Sequence, residues 1–127
     1  MSKNYPSLKS KLLYYKTKKL IPCGVQTLSK MPNKFIEGQY PIYLEGGNGA
    51  YVWNDRDNSY IDYPCALGAI LLGYANEEVN RAIIEQLKLG SIFTLPSKLE
   101  TKLAEKLNKL IPCAEQMRFL KTGSEAT

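Results

Sequence analysis

The sequence predicts an α/β fold: a small antiparallel β element, then amphipathic helices, then the first strand of a larger α/β domain. Short aromatic and β-branched runs flank a cluster of turn formers at residues 54–59. Two later segments repeat leucine, isoleucine or valine at helical spacing behind good N-caps. The final residues, 117–127, read as strand, small-residue turn and helix start.

The chain begins with a basic arm. Residues 5–20 carry Lys9, Lys11, Lys16, Lys18 and Lys19, with Leu8, Leu12 and Tyr15 at helical spacing. One reading is a patch for nucleic acid or an anionic membrane, with Tyr14 and Tyr15 free to stack. The other is an amphipathic helix packed on the body with its lysines solvated. The second is preferred, because charge runs usually mark a wet face and no nucleic-acid motif accompanies this one. Neither nucleic acid nor a membrane is therefore expected as a partner.

Residues 21–30, punctuated by Pro22 and Gly24, read as loop. Residues 42–44, 50–53 and 60–63 read as three short strands, the last two joined by the turn cluster as a hairpin. Residues 65–74 form an apolar loop containing Gly68 and Gly73. Asn76 is placed to cap a helix with Glu77 and Glu78 in its first turn, Val79, Ile83, Ile84 and Leu87 on its buried face, and Gly90 as its stop. Residues 91–96 connect to a second helix, opened by the capping box Ser97-Lys98-Leu99-Glu100 and striped by Leu99, Leu103, Leu107 and Leu110. Residues 116–121 are the closing strand.

Composition bounds the chemistry. The 127 residues are 44% hydrophobic and 23% charged, an ordinary soluble balance. The formal charge of +5 is uneven: residues 1–36 hold eight lysines and no acid, while 37–127 hold nine basic and twelve acidic residues. There is no histidine, and Cys23, Cys65 and Cys113 lack metal-ligand spacing. A Cys/His zinc site and a His-based triad are excluded, and no metal is expected. Scattered cysteines without a signal peptide fit a reducing cytosol, each as a small buried hydrophobe. The longest apolar stretch, 65–74, is too short to span a bilayer.

The terminal turn points to a phosphorylated ligand. Thr122, Gly123 and Ser124 stand at a fresh helix N-terminus, where unpaired backbone N–H groups and the positive dipole end suit a phosphate. Thr122 and Glu125 also form a capping box, and the two readings are compatible.

Together these segments resemble the N-terminal part of the class III, fold type I, pyridoxal-phosphate (PLP) aminotransferases, on the branch around glutamate-1-semialdehyde aminomutase. The matching text is Ile21-Pro22-Cys23-Gly24-Val25-Gln26-Thr27, then 49–57 (GAYVWNDRD), then Tyr60-Ile61-Asp62-Tyr63. Leu72-Gly73-Tyr74, Pro96 before a capped helix, and Met117-Arg118-Phe119 leading to Thr122-Gly123-Ser124-Glu125-Ala126-Thr127 complete it. Any one motif is weak; their order and spacing make the resemblance strong from Leu20 onward.

The resemblance implies the N-terminal segment of a PLP-dependent transferase fold. Residues 1–20 would be an arm, 21–111 a small-domain segment with connecting helices, and 112–127 the start of the large cofactor domain. Thr122, Gly123 and Ser124 would bind the PLP phosphate, with the family's commoner Ser-Gly-Thr order reversed. Thr27 and Lys30 align with a substrate-contacting loop, where Lys30 replaces an arginine and loses its bidentate fork. Leu67 aligns with an often aromatic position over the substrate, and its other reading is core packing. Phe93 lies in a connector that reaches the partner subunit's site, or else anchors that connector.

The lysine that carries the cofactor, the Asp that pairs its pyridinium nitrogen and the residue stacked on its ring would lie downstream, so no catalytic residue is expected in this chain. The chain is expected to be a piece of a larger, homodimeric enzyme, or to have its remainder supplied by another chain. The whole would move an amino group between a small-molecule amino donor and a carbonyl acceptor. Lys30 and Leu67 tilt the expectation from the intramolecular aminomutase shift towards transamination of another substrate, such as a sugar or sugar nucleotide. The rival readings are an inactive module for binding or assembly, and a basic-arm nucleic-acid or membrane binder.

Overall fold

The computed structural model describes residues 6–36 and 38–127. They fall into two compact units, one running to Ile83 and the other Ile84–Thr127.

In the first unit, helix α1 (Leu8–Leu20) starts at Ser7, whose hydroxyl accepts the Ser10 N–H at 2.9 Å. Lys18 and Lys19 occupy its last turn, favourable at the negative end of the dipole. The helix docks through its polar face. Ser7 and Ser10 both donate to the Asp55 carboxylate, Tyr14 Oη donates to the Cys23 carbonyl at 3.2 Å, and the Thr17 and Tyr43 hydroxyls meet at 3.2 Å. These positions recur at helical spacing. The Leu8, Leu12 and Tyr15 stripe, expected to pack on the body, is instead exposed. Lys18 lies over the Tyr14 and Tyr15 rings, 5.1 and 5.0 Å from their centroids. Residues 21–30, expected as loop, contain two short 3₁₀ turns, Pro22–Gly24 and Leu28–Lys30.

The sheet has three antiparallel strands in sequential order: β1 (Gly46–Asn48), β2 (Tyr51–Trp53) and β3 (Ser59–Ile61). Val52 faces Gly47 on one side and Tyr60 on the other, and at 4% exposure it marks the core. The expected hairpin stands. Its turn is organised by Asn54, 2% exposed, whose Oδ1 accepts the N–H groups of Arg56 (3.0 Å) and Asn58 (3.1 Å) while Nδ2 donates to Tyr60 Oη (3.1 Å).

The first strand is shifted from expectation. Residues 42–44 do not pair, and the glycine-rich 46–48 segment takes their place. The reason is close approach. A Cβ on Gly46 would come within 2.5 Å of the Trp53 ring, and one on Gly47 within 2.7 Å of the Tyr74 ring. Aromatic cover thus selects glycine where propensity selects Ile42, Tyr43 and Leu44.

Helix α2 (Glu77–Leu89) begins at Asn76, whose Oδ1 accepts the Val79 N–H at 3.1 Å, and stops at Gly90. Its stripe of Val79, Ile83, Ile84 and Leu87 is exposed, contrary to the expected buried face. In the second unit, helix α3 (Lys98–Leu110) opens on the expected capping box, with Leu99 N–H bonded to Ser97 Oγ (3.2 Å) and Ser97 N–H to Glu100 Oε1 (3.0 Å). Leu99, Leu103 and Leu110 on its stripe are exposed as well. Residues 116–121 carry no ladder, because a strand needs a partner and none of the described residues pairs with them. Cys23 and Cys113 are exposed and Cys65 half-buried, so none is the small core hydrophobe expected.

Candidate functional site

The terminal turn has the geometry its sequence implies. Thr122, extended at φ −129 and ψ 152, caps the short helix α4 (Gly123–Ala126). Glu125 Oε2 accepts from the N–H groups of Lys121 (3.1 Å) and Thr122 (3.0 Å) and from Thr122 Oγ1 (3.1 Å). The capping box therefore exists. Gly123 and Ser124, as the first two helical residues, have N–H groups without an intrahelical acceptor. A Cβ at Gly123 would meet nothing within 4 Å, so the turn is open. Two amides and the Ser124 hydroxyl form a donor set whose chemistry fits an oxyanion.

The other expected site residues sit on separate local features. Thr27 and Lys30 share one turn, in which the Lys30 N–H donates to the Thr27 carbonyl at 2.9 Å. Both are exposed, and the Lys30 ammonium makes no ion pair among the described residues. Leu67 is also exposed, in the turn Cys65–Gly68, where Cys65, Ala66 and Leu67 all have positive φ (48, 50 and 61°). Its core-packing reading does not hold within the described residues. Phe93 packs near Gly90, whose added Cβ would lie 3.2 Å from the ring, and is half exposed. The structure thus joins Thr27 with Lys30, and Thr122 with Gly123 and Ser124, as local groups.

Two polar arrangements were not expected from the residues. Tyr74 Oη donates to Asp62 Oδ2 at 2.5 Å beside a cleft of about 310 Å³ that Asp62, Cys65, Ile70 and Tyr74 help to line. That bond to the carboxylate, reinforced by burial and the nearby charge, pushes the Tyr74 hydroxyl up to about 12. Both residues belong to the motif text quoted above; nothing in a linear pattern pairs them. The second arrangement is Asp55 beneath α1, held below the ordinary carboxylate range chiefly by the Ser7 hydroxyl. Burial opposes that shift, while Ser10, Lys9 and Arg56 add to it. Among the described residues no cluster could hold a metal ion, and no helix is long and apolar enough to cross a membrane.

A three-stranded sheet, capped amphipathic helices and a hydroxyl–glycine turn in this order define the N-terminal part of a transaminase fold. The chain belongs to the class-III aminotransferase family, whose model matches residues 35–127. It is 38% identical to 3-aminobutyryl-CoA aminotransferase of Cloacimonas acidaminovorans, over all of this chain and 31% of that protein. It is 40% identical to glutamate-1-semialdehyde 2,1-aminomutase of Saccharolobus islandicus, over 94% of this chain and 27% of the relative. The PLP internal aldimine form of the FumI protein of Sphingopyxis sp. MTA144 superposes with a TM-score of 0.84 at 31% identity, covering 94% of this chain and 28% of that one. The chain therefore spans roughly three-tenths of the length of these relatives.

Proposed function

We propose that these residues are the N-terminal segment of a PLP-dependent enzyme that transfers an amino group between a small-molecule amino donor and a carbonyl acceptor. The observation that carries this reading is the TM-score of 0.84 with a PLP-bearing homologue across nearly the whole chain. PLP supplies an electron sink at the carbon bearing the amino group. Thr122, Gly123 and Ser124 form the turn that would hold its phosphate, through the Gly123 and Ser124 amides and the Ser124 hydroxyl, while Glu125, which accepts the Thr122 N–H and hydroxyl, pins the cap that aims them. Thr27, Lys30 and Leu67 are assigned to substrate contact, the Lys30 ammonium attracting an anionic group without the planar fork of arginine, and Phe93 to a connector that reaches the partner subunit's site. Residues 1–20 serve as an arm, 21–111 as the small-domain segment and 112–127 as the entry to the cofactor domain.

Transamination is preferred to the internal aminomutase shift. The aliphatic Leu67 and the single-point charge of Lys30 depart from the aminomutase pattern, and the relative matched over all of this chain is an aminotransferase. An aminoacyl-CoA, the kind of substrate that relative's name states, joins the sugar-type substrates as a class to assay. The enzyme is proposed to work as a cytoplasmic homodimer, and the isolated 127 residues to be inactive, because none of them supplies the cofactor-bearing lysine. Intact mass and an absorbance scan of the natural protein test the reading. A mass about threefold larger, with a visible chromophore bleached by borohydride, is the expected result. A mass matching 127 residues with no chromophore would overturn it in favour of a non-catalytic binding module.

A further inference from the structure

We propose that Asp62 and Tyr74 form a latch that holds the left-handed turn Cys65–Gly68 and so fixes the backbone from which Leu67 projects; that Leu67 faces substrate rests on the function proposed above.

The turn is one that its residues do not prefer. Cys65, Ala66 and Leu67 have φ of 48, 50 and 61°, followed by Gly68 at 87°. Non-glycine residues enter this region as isolated cases, because Cβ crowds the carbonyl, and a run of three persists only where the surroundings enforce it. The bonds inside the turn are short-range: Leu67 N–H to Pro64 O (2.8 Å), Gly68 N–H to Pro64 O (3.3 Å), Ala69 N–H to Ala66 O (3.4 Å) and Ile70 N–H to Cys65 O (3.1 Å). They would be lost together if the ends of the loop parted.

The ends are fastened at one place. Asp62 N–H donates to Ala50 O at 2.9 Å, anchoring the outgoing end to the turn between β1 and β2. Gly49 and Tyr74 exchange both backbone bonds, at 2.9 and 2.8 Å, anchoring the returning end to the same turn. Gly73, at φ 85°, passes so close that an added Cβ would lie 3.0 Å from the Gly49 backbone. The side-chain bond between Tyr74 Oη and Asp62 Oδ2 then ties the two ends directly. A hydroxyl–carboxylate bond of this length is charge-assisted and stronger than a neutral one. The Tyr74 ring also covers Gly47, so the latch is seated on the sheet. Asp62 and Tyr74 are positioning residues, acting on Leu67 through the turn.

The test is hydrogen exchange by mass spectrometry on the full-length protein that carries this segment. Tyr74→Phe removes only the hydroxyl, and Asp62→Asn keeps an acceptor while removing the charge. The latch predicts about tenfold faster exchange of the Leu67, Gly68, Ala69 and Ile70 amides in Tyr74→Phe, a smaller rise in Asp62→Asn, and no change in the hairpin β2–β3. Unchanged exchange at 67–70 overturns the latch. So does an equal rise in the hairpin, which marks a general structural bond. If Tyr74→Phe does not fold, Asp62→Asn decides by the same readout. Kinetics separate the two layers. A rise in KM larger than the fall in kcat supports Leu67 as a substrate contact, whereas faster exchange with unaltered kinetics leaves the latch standing and removes that assignment.

Discussion

Ser10 Oγ donates to Asp55 Oδ2 at 2.9 Å, joining α1 to the tip of a hairpin 45 residues away in the chain. Ser7 donates to the same oxygen, so one carboxylate receives both hydroxyls of the helix start. The contact is polar on both sides, and it turns the leucine stripe of α1 outward. Asp55 thereby decides which face of the arm is offered to whatever covers it.

Replacing Asp55 by Ala leaves the Ser7 and Ser10 hydroxyls, both buried, without their acceptor. The expected cost is roughly 1–3 kcal/mol, concentrated in α1. Faster amide exchange over Leu8–Leu20 with an intact sheet is the expected signature. Asp55→Asn, which keeps an acceptor, is expected to cost less, and equal losses would argue against the clasp.

Two titrations give stability opposite pH limits. The folded state lowers the Asp55 value, so its contribution is present above the ordinary 3.8 and is lost as pH falls through the depressed folded value. The folded state raises Tyr74 from 10.0 to about 12, so its contribution is complete below pH 10 and is lost as pH climbs towards 12. Thermal melts should show the wild type converging on Asp55→Asn at the acid end and on Tyr74→Phe at the alkaline end.

Asn54 organises the hairpin turn with two accepted amides and one donated bond while almost wholly buried. Asn54→Ala strands these partners, and a loss of about 2–4 kcal/mol is expected by denaturant titration. Asn54→Asp preserves the acceptor oxygen and should recover part of that loss.

Ser97→Ala removes the hydroxyl half of the α3 capping box, at an expected cost of about 1 kcal/mol. Circular dichroism and exchange at the first turn of α3 would register it. A Ser97→Asp variant should retain the cap.

Ser124→Ala in the full-length protein is expected to weaken cofactor binding about tenfold, through the loss of one charge-assisted hydroxyl bond. Equilibrium dialysis against PLP measures it. Unchanged affinity would leave the turn as a helix cap and nothing more.

Local signals were legible wherever neighbouring residues decide the outcome. The capping boxes at Ser97 and Thr122, the Asn76 cap, the Gly90 stop and the 54–59 hairpin turn each depend on contacts within about four residues, and each is present. The first strand misled because β-propensity favours residues 42–44, whereas the paired strand is chosen by the Trp53 and Tyr74 rings that sit over Gly46 and Gly47. Among the site residues, the Thr122-Gly123-Ser124 turn is visible from its order alone. The exposure of Leu67 on a left-handed turn is not, since nothing local makes Cys65, Ala66 and Leu67 adopt positive φ.

The sequence by itself determined the family, the helix boundaries and the cap at Thr122, because periodicity, caps and motif order are written in adjacent residues. The tertiary structure alone decided which strand pairs, which face of α1 docks and how the loop at 62–74 is closed. Those outcomes rest on contacts across about seven to nearly fifty residues, from Trp53 over Gly46 to Ser7 with Asp55. Such partners meet only once the chain has folded.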